Sequence, residues 1–445
     1  MDQTNAPAPL TRQILALAVP AFGALVAEPL FLLADSAIVG HLGVDQLAGV
    51  GLASTALQTA VGLLVFLAYS TTPAVARLVG AGRHGQALAA GRDGLYLAAL
   101  LGVLLAAAGM LAAGPLVHLL GGRGAVLAFG TTYLLYALPG VPAMLLIFAA
   151  AGVLRGLQDT RTPLLVAGAG FTANIALNWF LVYGLGLSVA GSALGTSVAQ
   201  WAMAAVYLVL IGRQARRLGV GLLPHWAGIG GLGKVGGWLF LRTLSLRAGI
   251  LATVLVASGQ GPVNLAAHQL AMTVFTFLAF ALDALAIAAQ ALVGKELGAG
   301  NVRRVEALTR RLLWFGVGGG AAAGVLLLAG SPWIGWIFST DPRVHAALTG
   351  ALVVLAIAAP LAGFVFVLDG VLIGAGDSRY LALAGVVNLL GYLPLLGWVL
   401  AGADDGAAGL AQLWAAFALG YLGLRAATLG FRARGTAWIR TGAAG

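Results

Sequence analysis

"GVLRGLQDTR", residues 152–161, returns 218 residues later as "GVLIGAGDSR", residues 370–379, with six of ten positions identical. The same offset relates "GAGR" (80–83) to "GAGN" (298–301), "LAG" (47–49) to "LAA" (265–267), and the "AG" at 190–191 to that at 408–409. One such match means little in a chain rich in Ala, Leu and Gly. Four at a single offset mark an internal repeat. The 445 residues therefore read as two copies of one design.

Between these anchors lie apolar runs of roughly 20 residues or more, long enough to cross a bilayer as helices. The composition agrees: 60% hydrophobic and 9% charged, with mean hydropathy +0.98, where soluble domains are about a quarter charged. No period-two alternation of a β-barrel is present. The fold class is all-α integral membrane, with helices predicted near 13–40, 46–79, 88–119, 125–155, 163–183, 189–212, 238–258, 264–297, 307–330, 345–374, 379–401 and 408–430. Many of the 66 glycines lie inside these runs, where they let helices approach closely. Six helices per half, with matching basic loops, make the halves parallel repeats. An N-terminal lobe (1–211) and a C-terminal lobe (237–445) are joined by a polar linker, 212–236. There is no cysteine, so disulfides and thiol chemistry are excluded. The opening "MDQTNAPAPLTRQ" lacks the basic region and small-residue cleavage site of a signal peptide.

The net charge of +10 is distributed as a topology signal. Of 24 Lys and Arg, twenty fall in one set of alternate loops and the termini. Only Arg123 and Arg343 fall in the opposite set, and Arg242 and Arg247 are expected at the start of the seventh helix. The positive-inside rule then puts both termini in the cytoplasm of a cytoplasmic (inner) membrane protein. The basic surplus also meets anionic headgroups and is not a nucleic-acid footprint.

Of fourteen acidic residues, Glu28, Asp35, Asp283 and Asp369 lie well inside helices. A carboxylate at bilayer depth costs several kcal/mol and faces a cavity or a partner. Glu28 and Asp35 are seven apart and share a face of the first helix. Pro20 and Pro29 in the same helix each remove a backbone donor and can act as a bend. Asp35 is either paired with a basic group or backbone N–H, or free to bind a cation; Glu28 is either a second proton site or a permanently neutral acid. Asn174 and Asn178 are one turn apart on the fifth helix, and Ser192, Thr196 and Gln200 form a stripe on the sixth. These serve either as interhelical hydrogen bonds or as a polar pocket around Asp35. In the C-terminal half, Thr276, Asp283 and Gln290 recur at seven-residue spacing, Asp369 lies in "FVFVLDGVLIG", and Asn388 shares a face with Tyr392. For these the alternatives are helix packing, an ion pair of Asp283 or Asp369 with Arg242 or Arg247, or an ion or substrate site. Aromatic residues including Tyr133 and Tyr136 can add cation–π contacts.

Deep acids without basic neighbours suit a cationic passenger that competes with H⁺ or Na⁺ for one site, which is the simplest physics of antiport. There is no G-x-x-x-x-G-K-[ST] for an ATP-driven motor. The six histidines show no metal spacing, and His268 in the eighth helix reads as a satisfied polar residue rather than a ligand. No metal and no cofactor beyond H⁺ or Na⁺ is expected.

"LADSAIVGHLG", "LAGVGLAS", "VARLVGAGR", "GVLRGLQDTRTPL", "NIALNWFLVYG", "GSALGTSVAQ", "LAAHQLAMTVFTFLAFALDALAIAAQALVGKELGAGN" and "DGVLIGAGDSR" together resemble the multidrug and toxic-compound extrusion (MATE) family, end to end and in order. "LRTLSLRAG" and "ALDALAIAAQALVGKELGAG" point to its DinF-like branch. The resemblance implies two six-helix lobes in a V and export of cationic or amphipathic compounds driven by H⁺ or Na⁺. It matches Asp35 to a first-helix aspartate tied to coupling and Pro20 to the bend of that helix. It matches Asn174, Asn178 and Thr196 to a polar pocket, with Asn178 where some members carry Asp. Asp369 matches a cation-binding aspartate of the Na⁺-coupled branch, whose seventh-helix Glu is replaced here by the arginines of "LRTLSLRAG".

The expected protein is a monomeric antiporter, not an enzyme, that exports small cationic or amphipathic molecules from within the lipid membrane. Its coupling residues are Asp35 and Glu28, its pocket Asn174, Asn178, Thr196 and Gln200, with a C-lobe candidate of Asp283, Asp369 and Asn388. A lipid-linked precursor flippase of the same superfamily is the alternative; it requires basic cavity residues for a pyrophosphate. An intramembrane transferase would need clustered acidic or His motifs at one interface.

Overall fold

The computed structural model describes residues 9–402 and 406–443, apart from the side chains of Glu28 and Leu32. Twelve helices are long and apolar enough to cross a membrane: α1 (Leu10–Gly40), α2 (Val44–Gly80), α3 (His84–Leu119), α4 (Gly124–Gly156), α5 (Arg161–Gly184), α6 (Ser188–Arg217), α7 (Trp226–Gly259), α8 (Pro262–Gly298), α9 (Val302–Phe338), α10 (Pro342–Gly374), α11 (Ser378–Ala401) and α12 (Ala407–Arg434). No strand is present among the described residues. This is a multi-pass helical membrane protein.

Moving α1–α6 along the chain by 218 positions brings every helix boundary within two residues of the corresponding boundary in α7–α12. The repeated decapeptide marks a shared turn. At the end of α4, Asp159 N–H reaches back to Leu154 O (2.8 Å), and at the end of α10 Asp377 N–H reaches Leu372 O (3.0 Å). This reverse turn places one residue in the left-handed region. That residue is Gly376 (φ 75°) in the second copy and Gln158 (φ 69°) in the first, so the first copy carries the strain that glycine avoids. Asp159 then receives the N–H groups of Arg161 and Thr162 (both 3.0 Å), satisfying orphan donors at the start of α5.

The chain divides into two compact units of six helices. One contains residues up to Ala18 and from Gly237 onward; the other is Val19–Gly236. In the first, α9 and α10 pack backbone on backbone: a Cβ on Gly316 would lie 2.6 Å from Gly363 O. Small residues make such contacts available to helices in lipid.

Two helix starts depart from expectation. α7 begins at Trp226, twelve residues before 238, and α6 runs to Arg217, so only 218–225 of the polar segment is non-helical. The glycines of "GIGGLGK" each cost about 1 kcal/mol in a helix, which burial of Ile229 and Leu232 offsets. The remaining strap is tied to α3: Arg92 Nη1 donates to Gly221 O (2.7 Å), Tyr96 Oη to Leu222 O (3.2 Å), and His225 N to Asp93 Oδ1 (3.1 Å). The longer α7 places Arg242 sixteen residues inside it rather than at its start, with consequences below. α9 spans Val302–Phe338, beyond the expected 307–330, with Arg303 and Arg304 in its first turn and Pro332 inside the helix.

Candidate functional site

α1 runs unbroken through Pro20 and Pro29, and Asp35 lies near its C-terminal end, 6% exposed. Asn174 and Asn178 project from α5 and are buried. Directly after Asn178, α5 passes into a π-helical turn, Phe180–Gly184; such turns are frequent at functional sites. On α6, Ser192 is fully buried and Thr196 half-buried. Gly195 separates them because a Cβ there would collide with the Asn178 carboxamide oxygen. The missing side chain lets α5 and α6 close onto Asp35.

Asp35 Oδ1 accepts two hydrogen bonds, from Asn178 Nδ2 (2.8 Å) and Ser192 Oγ (2.6 Å). Asn178 Nδ2 also lies 3.5 Å from Thr196 Oγ1. The Tyr133 hydroxyl on α4, 5% exposed, is within interaction range of Asp35, Ser192 and Ser54. Tyr183 Oη donates to Ile38 O (2.5 Å) and Phe31 stacks on Phe171 (5.2 Å), so α5 grips α1 above and below the carboxylate. The Oδ1 atoms of Asn174 and Asn178 are buried with no hydrogen-bond partner among the described residues. A buried carboxylate held only by neutral donors can take up a proton or a cation. No Lys, Arg or His within ion-pair distance of Asp35 is present among the described residues.

Gln200 turns elsewhere: its Nε2 contacts Met144 Sδ (3.6 Å) on α4. Pro20 sits in the first half of α1, half-buried. The Glu28 side chain lies outside the described residues. Ser192 was visible in sequence only as part of a stripe, and Tyr133 only as one aromatic among several. The signal for Ser192 is its four-residue spacing from Thr196; Tyr133 has none.

The C-terminal candidates are built differently. Asp369 on α10 meets Arg242 of α7, which donates Nε to Oδ1 (3.1 Å) and Nη2 to Oδ2. Arg425 of α12 adds a second guanidinium, with Nη2 3.7 Å from Asp369 Oδ1, and half-buried Asp283 lies within electrostatic range of Arg425. The expectation that the deep acids lack basic partners is therefore corrected for this half. Arg242 sits inside α7 rather than at its start, and Arg425, counted as a loop charge, is in the body of α12. Arg247 is exposed. Asn388 Nδ2 donates to Thr428 Oγ1 (3.1 Å), a helix-packing bond between α11 and α12.

The repeat sharpens the contrast. The positions 218 residues beyond Asp35, Asn174, Asn178, Ser192 and Thr196 are Thr253, Tyr392, Leu396, Leu410 and Trp414. Thr253 Oγ1 and Tyr392 Oη bond each other (2.7 Å), and buried Trp414, Phe417 and Tyr421 fill the surroundings. Conversely, Ala24, Ala151 and Tyr207 stand where the unit from Gly237 onward has Arg242, Asp369 and Arg425. The two units share a backbone plan, but among the described residues the acid held by neutral donors lies in Val19–Gly236, while the other unit buries His268, expected to be satisfied, with neither ring nitrogen hydrogen-bonded.

The MatE family model matches residues 20–180 and 241–398. Over 376 residues, 79% of this chain and 66% of the relative, the sequence is 28% identical to Protein DETOXIFICATION 45, chloroplastic, of Arabidopsis thaliana. Over 289 residues, 64% of this chain and 63% of the relative, it is 32% identical to DNA damage-inducible protein F of Escherichia coli. These alignments thus span just under two thirds of each relative's length. The fold matches a multidrug resistance MATE family transporter of the MOP superfamily solved in an outward-facing conformation: TM-score 0.86, 21% identity, 96% of each chain covered. With a duplicated six-helix plan, a family-model match in both halves and DNA damage-inducible protein F among its relatives, this chain belongs to the MatE family of transporters.

Proposed function

We propose that this protein is a secondary active exporter of cationic or amphipathic organic compounds, driven by H⁺ or Na⁺ moving the opposite way, with Asp35 as the coupling carboxylate. One observation carries the proposal: Asp35 is buried and held by neutral donors, whereas Asp369 is bound to arginine. A carboxylate can exchange a proton, Na⁺ or an organic cation only if no fixed cation already neutralises it. Asn178 and Ser192 orient Asp35. The C-terminal network serves as structure. Arg242 is engaged by Asp369 and so does not form, with Arg247, the basic pair a pyrophosphate would need, which disfavours the flippase alternative.

The protein acts as a monomer in the cytoplasmic membrane, with both termini and the basic loops inside. The absence of native cysteine makes the orientation directly testable by labelling single cysteines placed at Arg216 and Arg343.

The functional test is ethidium flux in proteoliposomes under separately imposed pH and Na⁺ gradients. Asp35→Asn is expected to abolish gradient-driven flux while the protein still inserts and folds. Unchanged flux with an unchanged pH dependence would remove Asp35 from the mechanism.

A further inference from the structure

α9 carries its own membrane ruler. Trp314 and Trp333 are 72% and 68% exposed and nineteen residues apart, which is about 28 Å of helix and close to the thickness of the hydrocarbon core. Exposed tryptophans mark the two membrane–water boundaries. Arg310 and Arg311 lie about one turn outside Trp314, on the end of α9 that carries Arg303 and Arg304, at the depth of lipid phosphates.

At that depth a groove of about 390 Å³ opens between α9 and the first turn of α1, lined by Leu10, Thr11, Ala307, Arg310, Arg311 and Trp314. Its guanidinium is already oriented: Arg311 donates Nη2 (2.9 Å) and Nε (3.2 Å) to Thr11 Oγ1, and its Cζ lies 5.6 Å from the Phe315 ring centroid. The Nη1 donors of Arg311 and the whole head of exposed Arg310 have no partner among the described residues. Glu306, one turn from Arg310, forms no ion pair with either arginine there, and nearby Arg304 is engaged by Glu296 (3.1 Å).

We infer that this groove is a binding site for the phosphodiester of an anionic phospholipid, with Arg310 and Arg311 holding the phosphate, and Leu10 and Trp314 flanking the first acyl carbons. Guanidinium groups suit phosphate because they present several fixed donors. Two unpaired positive charges favour a headgroup with no cation of its own. Volume alone would admit soluble phosphate; Leu10 and Trp314 beside the arginines, and the depth set by Trp314, assign the site to a lipid. A lipid seated there bridges the start of α1 to α9 within one unit.

The test is native mass spectrometry of the full chain, titrated with phosphatidylglycerol, phosphatidylcholine or soluble glycerol phosphate. Wild type is expected to retain one phosphatidylglycerol per chain more tightly than all others. At about 1 kcal/mol per interfacial arginine, Arg310→Gln weakens it about fivefold and the Arg310→Gln, Arg311→Gln pair about thirtyfold. Arg303→Gln, exposed on the same helix but outside the groove, stays within twofold of wild type. Melting temperature in detergent checks that each variant is folded. Equal retention by the double variant, or equal binding of phosphatidylcholine, overturns the site; displacement by millimolar glycerol phosphate overturns its assignment to a lipid.

Discussion

Replacing Asp369 by Asn should damage stability far more than coupling. The side chains of Arg242 and Asp369 are 9% and 11% exposed and joined by two hydrogen bonds, with Arg425 3.7 Å from the same carboxylate. Removing one partner strands a buried guanidinium, which costs about 3–5 kcal/mol. Total stabilities are about 5–15 kcal/mol, so a large share is lost. At roughly 2–4 °C per kcal/mol for a unit of this size, the melting temperature in detergent should fall by about 10 °C. Replacing both partners, Arg242→Gln with Asp369→Asn, removes the stranded charge and leaves two groups able to bond each other. That variant should recover more than half of the loss, with Arg425 turning to Asp283. In proteoliposomes it should keep H⁺- or Na⁺-driven flux, because Asp35 is untouched. Wild-type-like melting of Asp369→Asn would show that the ion pair contributes nothing. Loss of coupling in the well-folded double variant would move the coupling site to the C-terminal unit and refute the assignment to Asp35.

Other outcomes follow from individual contacts. Gly195→Ala places a methyl group against the Asn178 carboxamide, an overpacking of about 1–3 kcal/mol, and should cut flux strongly while the protein still elutes as a folded species. Gly316→Val drives a branched side chain into Gly363 O across the α9–α10 contact; a large drop in folded yield on size-exclusion chromatography is expected. Asp341 caps α10 by accepting the Arg343 N–H (2.9 Å), and its bonds from Arg343 hold its carboxyl below the usual value of 3.8. A depressed carboxylate stabilises the fold above its unfolded titration and loses that effect as pH falls through the folded one. Asp341→Ala should therefore lower the melting temperature at pH 7, and the difference should close below pH 3.8.

The duplicated helix plan was legible in the chain because lipid imposes it. Every backbone donor must be satisfied inside its own segment, so spans appear as apolar runs, and a turn that needs the left-handed region repeats with its Gly376 and Gln158. The group around Asp35 was partly legible, since Asn174/Asn178 and Ser192/Thr196 are one-turn spacings, and a helix face is a local property. What sequence could not decide is which faces meet. Arg242 and Asp369 are 127 positions apart, and no local rule brings α7 to α10. Nor does a local rule show that Arg425, in the body of α12, packs against the same aspartate. In sequence, an ion pair and a cation site both remained open for Asp369. The tertiary structure decides by partner, giving Asp35 neutral donors and Asp369 two guanidinium groups. An acid's chemistry is set by the charges within a few ångströms of it, and those come from other helices.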